Sequence, residues 1–172
     1  MISKAGMSVV MRREYLDLYR ACEIDVSRLT QINTEVHRVL RGRIRYECVA
    51  NALNTPWYVV GLIHEMESDC DFTKHLHNGD SLSERTVRVP AGRPATGDPP
   101  FTWEQSAFDA LQMKGADRYV GTDAWNVPEI LFFLEAYNGF GYRNRNVPSP
   151  YLWAGSNHYT SGLFVADGQY DP

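Results

Sequence analysis

Glu67 is the residue from which chemistry can be argued first. It lies in Thr55-Pro-Trp-Tyr-Val-Val-Gly-Leu-Ile-His-Glu-Met-Glu-Ser68. Thr55 can cap a helix there and Pro56 suits a first turn, so a helix is expected over residues 56–68. At roughly 100° per residue, Val59, Val60, Ile63 and Met66 share a sector with Leu62 at its margin, and Gly61, Glu65 and Ser68 fall opposite. Glu67 projects between Ile63 and Val60, which puts a carboxyl on the apolar side near the C-terminal end of the helix. Desolvation and the negative end of the helix dipole both favour the neutral acid there, so the group can hold a proton at neutral pH and donate it. The competing reading is a helix that ends early and leaves Glu67 turned to water.

Histidines supply a second set of candidates. His64-Glu65 begins a His-Glu-x-x-His zinc motif, but position 68 is Ser, so the second ligand one helical turn on is absent. His75, His77 and Asp80 could still hold a metal together with His64, because alternate residues of a strand share a face. Against that stands the ordinary use of histidines near a turn, as hydrogen-bonded surface or cleft residues.

These groups need elements to position them. Residues 11–53 carry Leu16, Tyr19, Ile24, Leu29, Ile32, Val36, Val39, Leu40, Ile44, Cys48 and Leu53 at helical spacings, with a break near Asp25 or Gly42. This stretch is scaffold, without a Gly-rich phosphate loop or a Cys-x-x-Cys pair. Beyond Ser68, Asn78-Gly79 predicts a type I′ turn and Thr86-Val-Arg-Val-Pro90 alternates polar with apolar, so a small β-hairpin element is expected directly after the Glu67 helix. The segment Ala91 to Pro100, with Pro94, Pro99, Pro100 and two glycines, reads as a surface loop. Thr102-Trp-Glu-Gln105 is a capping box opening a helix with Ala107, Phe108, Ala110, Leu111 and Met113, and Asn126-Val-Pro-Glu129 repeats that grammar. Ile130-Leu-Phe-Phe-Leu134 is apolar on every side and belongs in the middle of the domain, and the glycines at 139 and 141 end its helix with Tyr137 and Asn138 close to the core. The remainder is too aromatic for disorder and reads as an ordered coat.

The class is therefore α+β, mainly α-helical, in a single domain over 1–172: a helical scaffold over 11–53, the Glu67 helix and β-element over 56–90, and helices with an aromatic C-terminal coat over 102–172. At 172 residues, 44% hydrophobic and 22% charged, the chain is long enough for one buried core. No apolar run approaches the roughly 20 residues that span a bilayer, and Met1-Ile-Ser-Lys-Ala-Gly-Met lacks a signal-peptide core, so synthesis in a host cytoplasm without membrane insertion is expected. Cys22, Cys48 and Cys70 form no paired spacing and read as reduced thiols in or near the core. A net charge of −4 argues against nucleic acid as the main partner, and Arg38, Arg41, Arg43 and Arg45 read as a solvated helix face.

Two separated pieces coincide with one pattern. Ile63-His-Glu-Met-Glu-Ser68 resembles the signature of the goose-type lysozyme and soluble lytic transglycosylase group, whose catalytic Glu precedes a Ser near the end of a buried helix. Ala136-Tyr-Asn-Gly-Phe-Gly-Tyr142 resembles that group's second motif, about 70 residues on, which lines the same cleft. The blocks His77-Asn-Gly79, Thr86 through Gly92-Arg93, Pro100-Phe-Thr-Trp-Glu104 and Tyr142-Arg-Asn144 through Ser149-Pro-Tyr-Leu-Trp153 are similar to a lysozyme-like group of phage endolysins and bacterial proteins. The resemblance covers roughly residues 45–172.

It implies a lysozyme-like fold and cleavage of the β-1,4 bond between N-acetylmuramic acid and N-acetylglucosamine in peptidoglycan, with Glu67 as general acid, no cofactor, a monomeric protein, and action on the bacterial wall after release. Glycosidic cleavage uses a second group that stabilises the oxocarbenium-like state or activates water. Asp80, Asp71 and Glu65 are candidates, with Asp80 preferred and Thr86 placed to hold a water. Ser68, His64, His77, Tyr137, Asn138, Tyr142 and Trp153 are the candidate substrate-binding residues. Where the transglycosylases carry Gly-Leu-Met-Gln, this chain has His75-Leu-His-Asn-Gly-Asp80, so a hydrolysed and an anhydro product both stay open. The alternatives are a zinc peptidase or amidase using His64, His75 and His77, and a non-catalytic wall-sugar module whose aromatic side chains stack on sugar rings.

Overall fold

A computed structural model of the chain describes residues 6–119, 124–166 and 169–171. The first five residues and parts of the coat, 167–168 and 172, lie outside the described residues. The protein is mainly helical: α1 (Val9–Arg20), α2 (Leu29–Arg41), α3 (Arg43–Leu53), α4 (Trp57–Ser68), α5 (Trp103–Met113), α6 (Val127–Asn138) and α7 (Pro150–Trp153), with a strand pair β1 (Leu163–Ala166) and β2 (Gln169–Asp171) at the C-terminal end. The scaffold over 11–53 breaks at both expected places, in a short 3-10 turn after Asp25 and at Gly42 between α2 and α3.

The chain divides into two compact units, Asn33–Trp125 and Ser3–Ile32 with Asn126–Pro172. In the first, α4 buries Val59, Val60 and Ile63 completely, each contributing about 1.5–3 kcal/mol. The helix is more enclosed than its sequence suggests. Gly61, expected on the far side, is buried because a Cβ there would meet Val39 Cγ1 at 2.7 Å, so only glycine lets α2 and α4 approach this closely. Met66, expected in the buried sector, is 46% exposed. Thr55 does not cap α4: Pro56 takes the N-cap position and the Thr55 hydroxyl donates to the Leu53 carbonyl at 3.3 Å. The helix is held by burial rather than by its cap.

The expected β-hairpin is not formed. Lys74 and Ser81 make one isolated antiparallel bridge, and Val87 and Val89 are 80% and 85% exposed. The reason lies in where the backbone donors go: Val87 and Arg88 N–H point to the Asp80 carboxylate at 2.9 and 3.0 Å, and Thr86 N–H to the Arg93 carbonyl at 2.8 Å. Three successive backbone donors of the expected strand are thereby turned away from a ladder with residues 74–81. Gly79 has φ +72, but Asn78 does not share a positive φ, so the turn is not type I′. Cys48, expected near the core, is exposed.

In the second unit α1 lies against α6. Asn126 caps α6 by accepting from Glu129 N–H, and Phe132, Phe133, Leu134 and Tyr137 are buried. A charged group is buried with them. Glu135 is 3% exposed, and it is matched by the Tyr15 hydroxyl and by Arg143, whose Nη2 lies 2.8 Å from Oε2.

Candidate functional site

The C-terminal end of α4 is shaped by two consecutive left-handed residues, Asp69 (φ 53) and Cys70 (φ 56). Neither is glycine, so the reversal stores strain, offset by Asp69 N–H to Glu65 O at 3.0 Å and Cys70 N–H to His64 O at 3.2 Å. The chain turns back at once, and the His77-Asn78-Gly79 turn comes to rest on the carbonyl of Glu67, with Asp80 following it. Glu67 itself is half-buried, as is Ser68, whose hydroxyl reaches the His64 carbonyl at 3.4 Å.

Lys114, at the end of α5, adds a cation. Burial pushes its ammonium below the ordinary lysine value, and the Glu67 carboxylate pulls it back up. Glu67 is thus electrostatically coupled to a desolvated amine.

Asp80 is a fixed anion. Its Oδ2 accepts from the Val87 and Arg88 amides, and its Oδ1 from Arg88 Nε at 2.5 Å. Burial raises its carboxyl, but the Arg88 and Val87 hydrogen bonds outweigh that and hold it below the usual carboxylate range. The other two candidates for a second group are also engaged. Glu65 pairs with Arg38 at 2.6 Å, and Asp71 accepts from the Thr73 hydroxyl at 2.7 Å and the Thr73 amide at 2.9 Å. Thr86 is buried, its hydroxyl donating to the Pro90 carbonyl at 2.5 Å and accepting from Arg93 N–H at 2.9 Å, so it braces the loop between them.

The histidines are scattered into separate roles. His64 is 0% exposed, its ring 4.6 Å from those of both Phe72 and Trp103 and its Nδ1 3.0 Å from the Tyr46 hydroxyl, so it is closed to a ligand. Burial lowers it from the ordinary 6.5 to about 4, Arg45 adding to the effect and the Asp71 backbone opposing it. His75 places Nε2 on the Glu84 carbonyl and Nδ1 on the Ser106 hydroxyl, both at 2.8 Å. A carbonyl only accepts, so Nε2 carries a proton and donates to Glu84. His77 Nε2 meets Asp109 Oδ2 at 2.8 Å. Burial lowers His77 to about 4, against the pull of Asp109, so the neutral ring donates to that carboxylate. Among the described residues no group of three or more His, Cys, Asp or Glu side chains is arranged to hold a metal.

Sequence reasoning missed Ser106, Asp109, Arg93 and Lys114. With His75 and His77, the first three form a polar seam that fastens the loop to α5, Arg93 Nε reaching Asp109 Oδ2 at 2.9 Å. The available signal was two polar residues, 106 and 109, set among the buried Trp103, Ala107 and Ala110 of one helix. The basic run dissolves into pairs, Arg38 with Glu65, Arg43 with Glu47 and Arg45 with Glu104, which leaves little charge for an anionic polymer.

Tyr137, Asn138, Tyr142 and Trp153 belong to the second unit. Tyr137, Tyr142 and Trp153 are buried there, and Asn138 is exposed. No family model, curated protein or solved structure matches the chain.

Proposed function

We propose that the chain is a peptidoglycan glycosidase of lysozyme-like fold, cleaving the β-1,4 bond between N-acetylmuramic acid and N-acetylglucosamine with Glu67 as general acid. The observation that carries the reading is the half-buried Glu67-Ser68 end of α4 with the His77–Gly79 turn resting on it. The blocks His64–Ser68 and His77–Gly79, both part of the resemblance, thereby meet within one unit, and a carboxyl at the end of a largely buried helix is the group such cleavage needs. Asp80 takes the anionic part. Three donors keep it ionised, so it stabilises developing positive charge on the sugar and fixes the Val87–Arg88 segment.

The rival zinc reading has less to stand on, because both ring nitrogens of His75 already have partners and His64 is enclosed among aromatic rings. A wall-sugar module without catalysis needs no acid.

The deciding experiment digests purified wall with the protein and with Glu67→Gln and identifies the sugar ends by mass. The variant is expected to lose at least about 100-fold in rate, with reducing ends marking a hydrolase and 1,6-anhydro ends a transglycosylase. Cleavage unchanged in the variant rejects Glu67 as the acid. Activity abolished by a chelator favours the zinc reading, and binding without new ends favours the module.

A further inference from the structure

The unit built from Ser3–Ile32 and Asn126–Pro172 contains a cavity of about 410 Å³ between α1, the Arg143–Pro148 segment and α7. Its polar wall is Glu14, Glu135 and Arg143. Arg143 Nη1 lies 2.9 and 2.8 Å from the two Glu14 oxygens, and Nε and Nη2 lie 3.1 and 2.8 Å from Glu135 Oε2. Each charged group is therefore already paired before any ligand arrives, the one guanidinium holding both carboxylates and leaving the wall a formal charge of −1. An anion would have to compete with two carboxylates for the guanidinium, and a cation would have to compete with the guanidinium for the carboxylates. A neutral ligand bearing hydroxyls needs neither exchange, since a carboxylate oxygen in an ion pair keeps a lone pair to accept from an O–H.

Ser149 supplies the second observation. It lines the cavity, is 2% exposed, and its Oγ has no hydrogen-bond partner. A buried hydroxyl left unmatched costs about 1–3 kcal/mol, and a ligand hydroxyl that both donates and accepts removes that cost. Leu18, Pro148 and the indole of Trp153 also line the cavity and give the apolar surface that the C–H face of a sugar ring covers.

We propose that this cavity binds a neutral saccharide, one or two pyranose rings in size, with its hydroxyls on Ser149 and Glu14 and a ring face toward Trp153. The site goes beyond the Glu67 chemistry and does not depend on it, because binding here requires no cleavage.

The test titrates full-length protein carrying Glu67→Gln, which keeps the sugar intact, with N,N′-diacetylchitobiose, and with n-butylamine and acetate as charged controls. Amide and indole chemical shifts locate the contact. Shifts at Ser149 and the Trp153 indole are expected with the disaccharide, and weak or no response to either ion. Ser149→Ala removes an unmatched group, so it is expected to fold with an unchanged or higher Tm and to bind the disaccharide at least about tenfold more weakly. Shifts confined to Glu67, Ser68 and Gly79, equal affinity in Ser149→Ala, or a preference for either ion overturns the proposal. Because the readout is binding, a failure here leaves the cleavage experiment untouched, and a failure there leaves this one standing.

Discussion

The Cβ that alanine would carry at position 79 falls 2.9 Å from the carbonyl oxygen of Glu67, inside van der Waals contact. Gly79 also has φ +72, so the position combines a left-handed backbone with a close approach to another backbone. Gly79→Ala is therefore expected to cost about 1–2 kcal/mol and to push the turn away from the end of α4. Under the proposed function, wall cleavage should fall well beyond what the lost stability explains. Chemical denaturation and a cleavage assay at a temperature where the variant is fully folded check this together. Full activity in a destabilised variant would mean that the turn only fills space.

Asp80→Asn separates an anion needed for chemistry from one needed for the loop. Asparagine keeps one acceptor for the Val87 and Arg88 amides but turns an amide group toward Arg88 Nε, which can only donate. Loss of the Arg88 Nε bond and of the charge is expected to loosen the 86–88 segment by about 1–2 kcal/mol, seen as faster hydrogen exchange at Val87 and Arg88. Cleavage should drop as well, by less than in Glu67→Gln. Unchanged exchange at both amides contradicts the loop assignment.

What the sequence disclosed, and what it did not, follows from how far each interaction reaches. The capping box of Thr102 with Gln105 and the Asn126 cap were legible because both partners sit within one turn of helix. The loop over 91–100 was legible because its prolines forbid regular structure in place. The hairpin failed for a local reason with a distant cause: Asn78-Gly79 does mark a turn, but the Asp80 carboxylate takes the donors that a ladder would have used. Glu65 looked solvent-facing on the helix wheel and is instead paired with Arg38, 27 residues earlier. His64 looked available until Tyr46, Phe72 and Trp103 closed around it from three other segments. Periodicity sorts the faces of one helix, and it carries no information about which distant side chain will cover a face.

Lys114 and Glu67 are expected to be energetically coupled. Burial depresses the lysine and Glu67 is the charge that opposes it, so Glu67→Gln should move the Lys114 titration further down. The sign follows from linkage: a depressed lysine is penalised while charged, and stability rises as pH climbs through its folded value toward the unfolded one. Glu67→Gln should therefore start that rise at lower pH. Following the Lys114 side-chain carbon signals with pH tests the direction. A double-mutant cycle with Lys114→Met should return a coupling of about 0.5–2 kcal/mol. A Lys114 midpoint that does not move in Glu67→Gln denies the coupling.

His64 and His77 should dominate the mildly acid limb of stability. Each is lowered from 6.5 to about 4, burial being the largest cause in both. Between those values the unfolded chain takes up two protons that the folded chain refuses, so stability is full above pH 6.5 and is lost as pH falls toward 4. At one proton per histidine the slope approaches about 2.7 kcal/mol per pH unit, before carboxylates such as Asp80 add their share at lower pH. His64→Phe keeps the ring in its aromatic cluster, and the Tyr46 hydroxyl retains Cys70 Sγ at 3.2 Å as an acceptor. That variant should fold and lose about half of the slope attributable to the pair. Denaturant unfolding at pH 7, 6, 5 and 4 measures it. A slope that His64→Phe leaves unchanged would show that His64 takes up its proton without unfolding, and that the cluster around it admits charge.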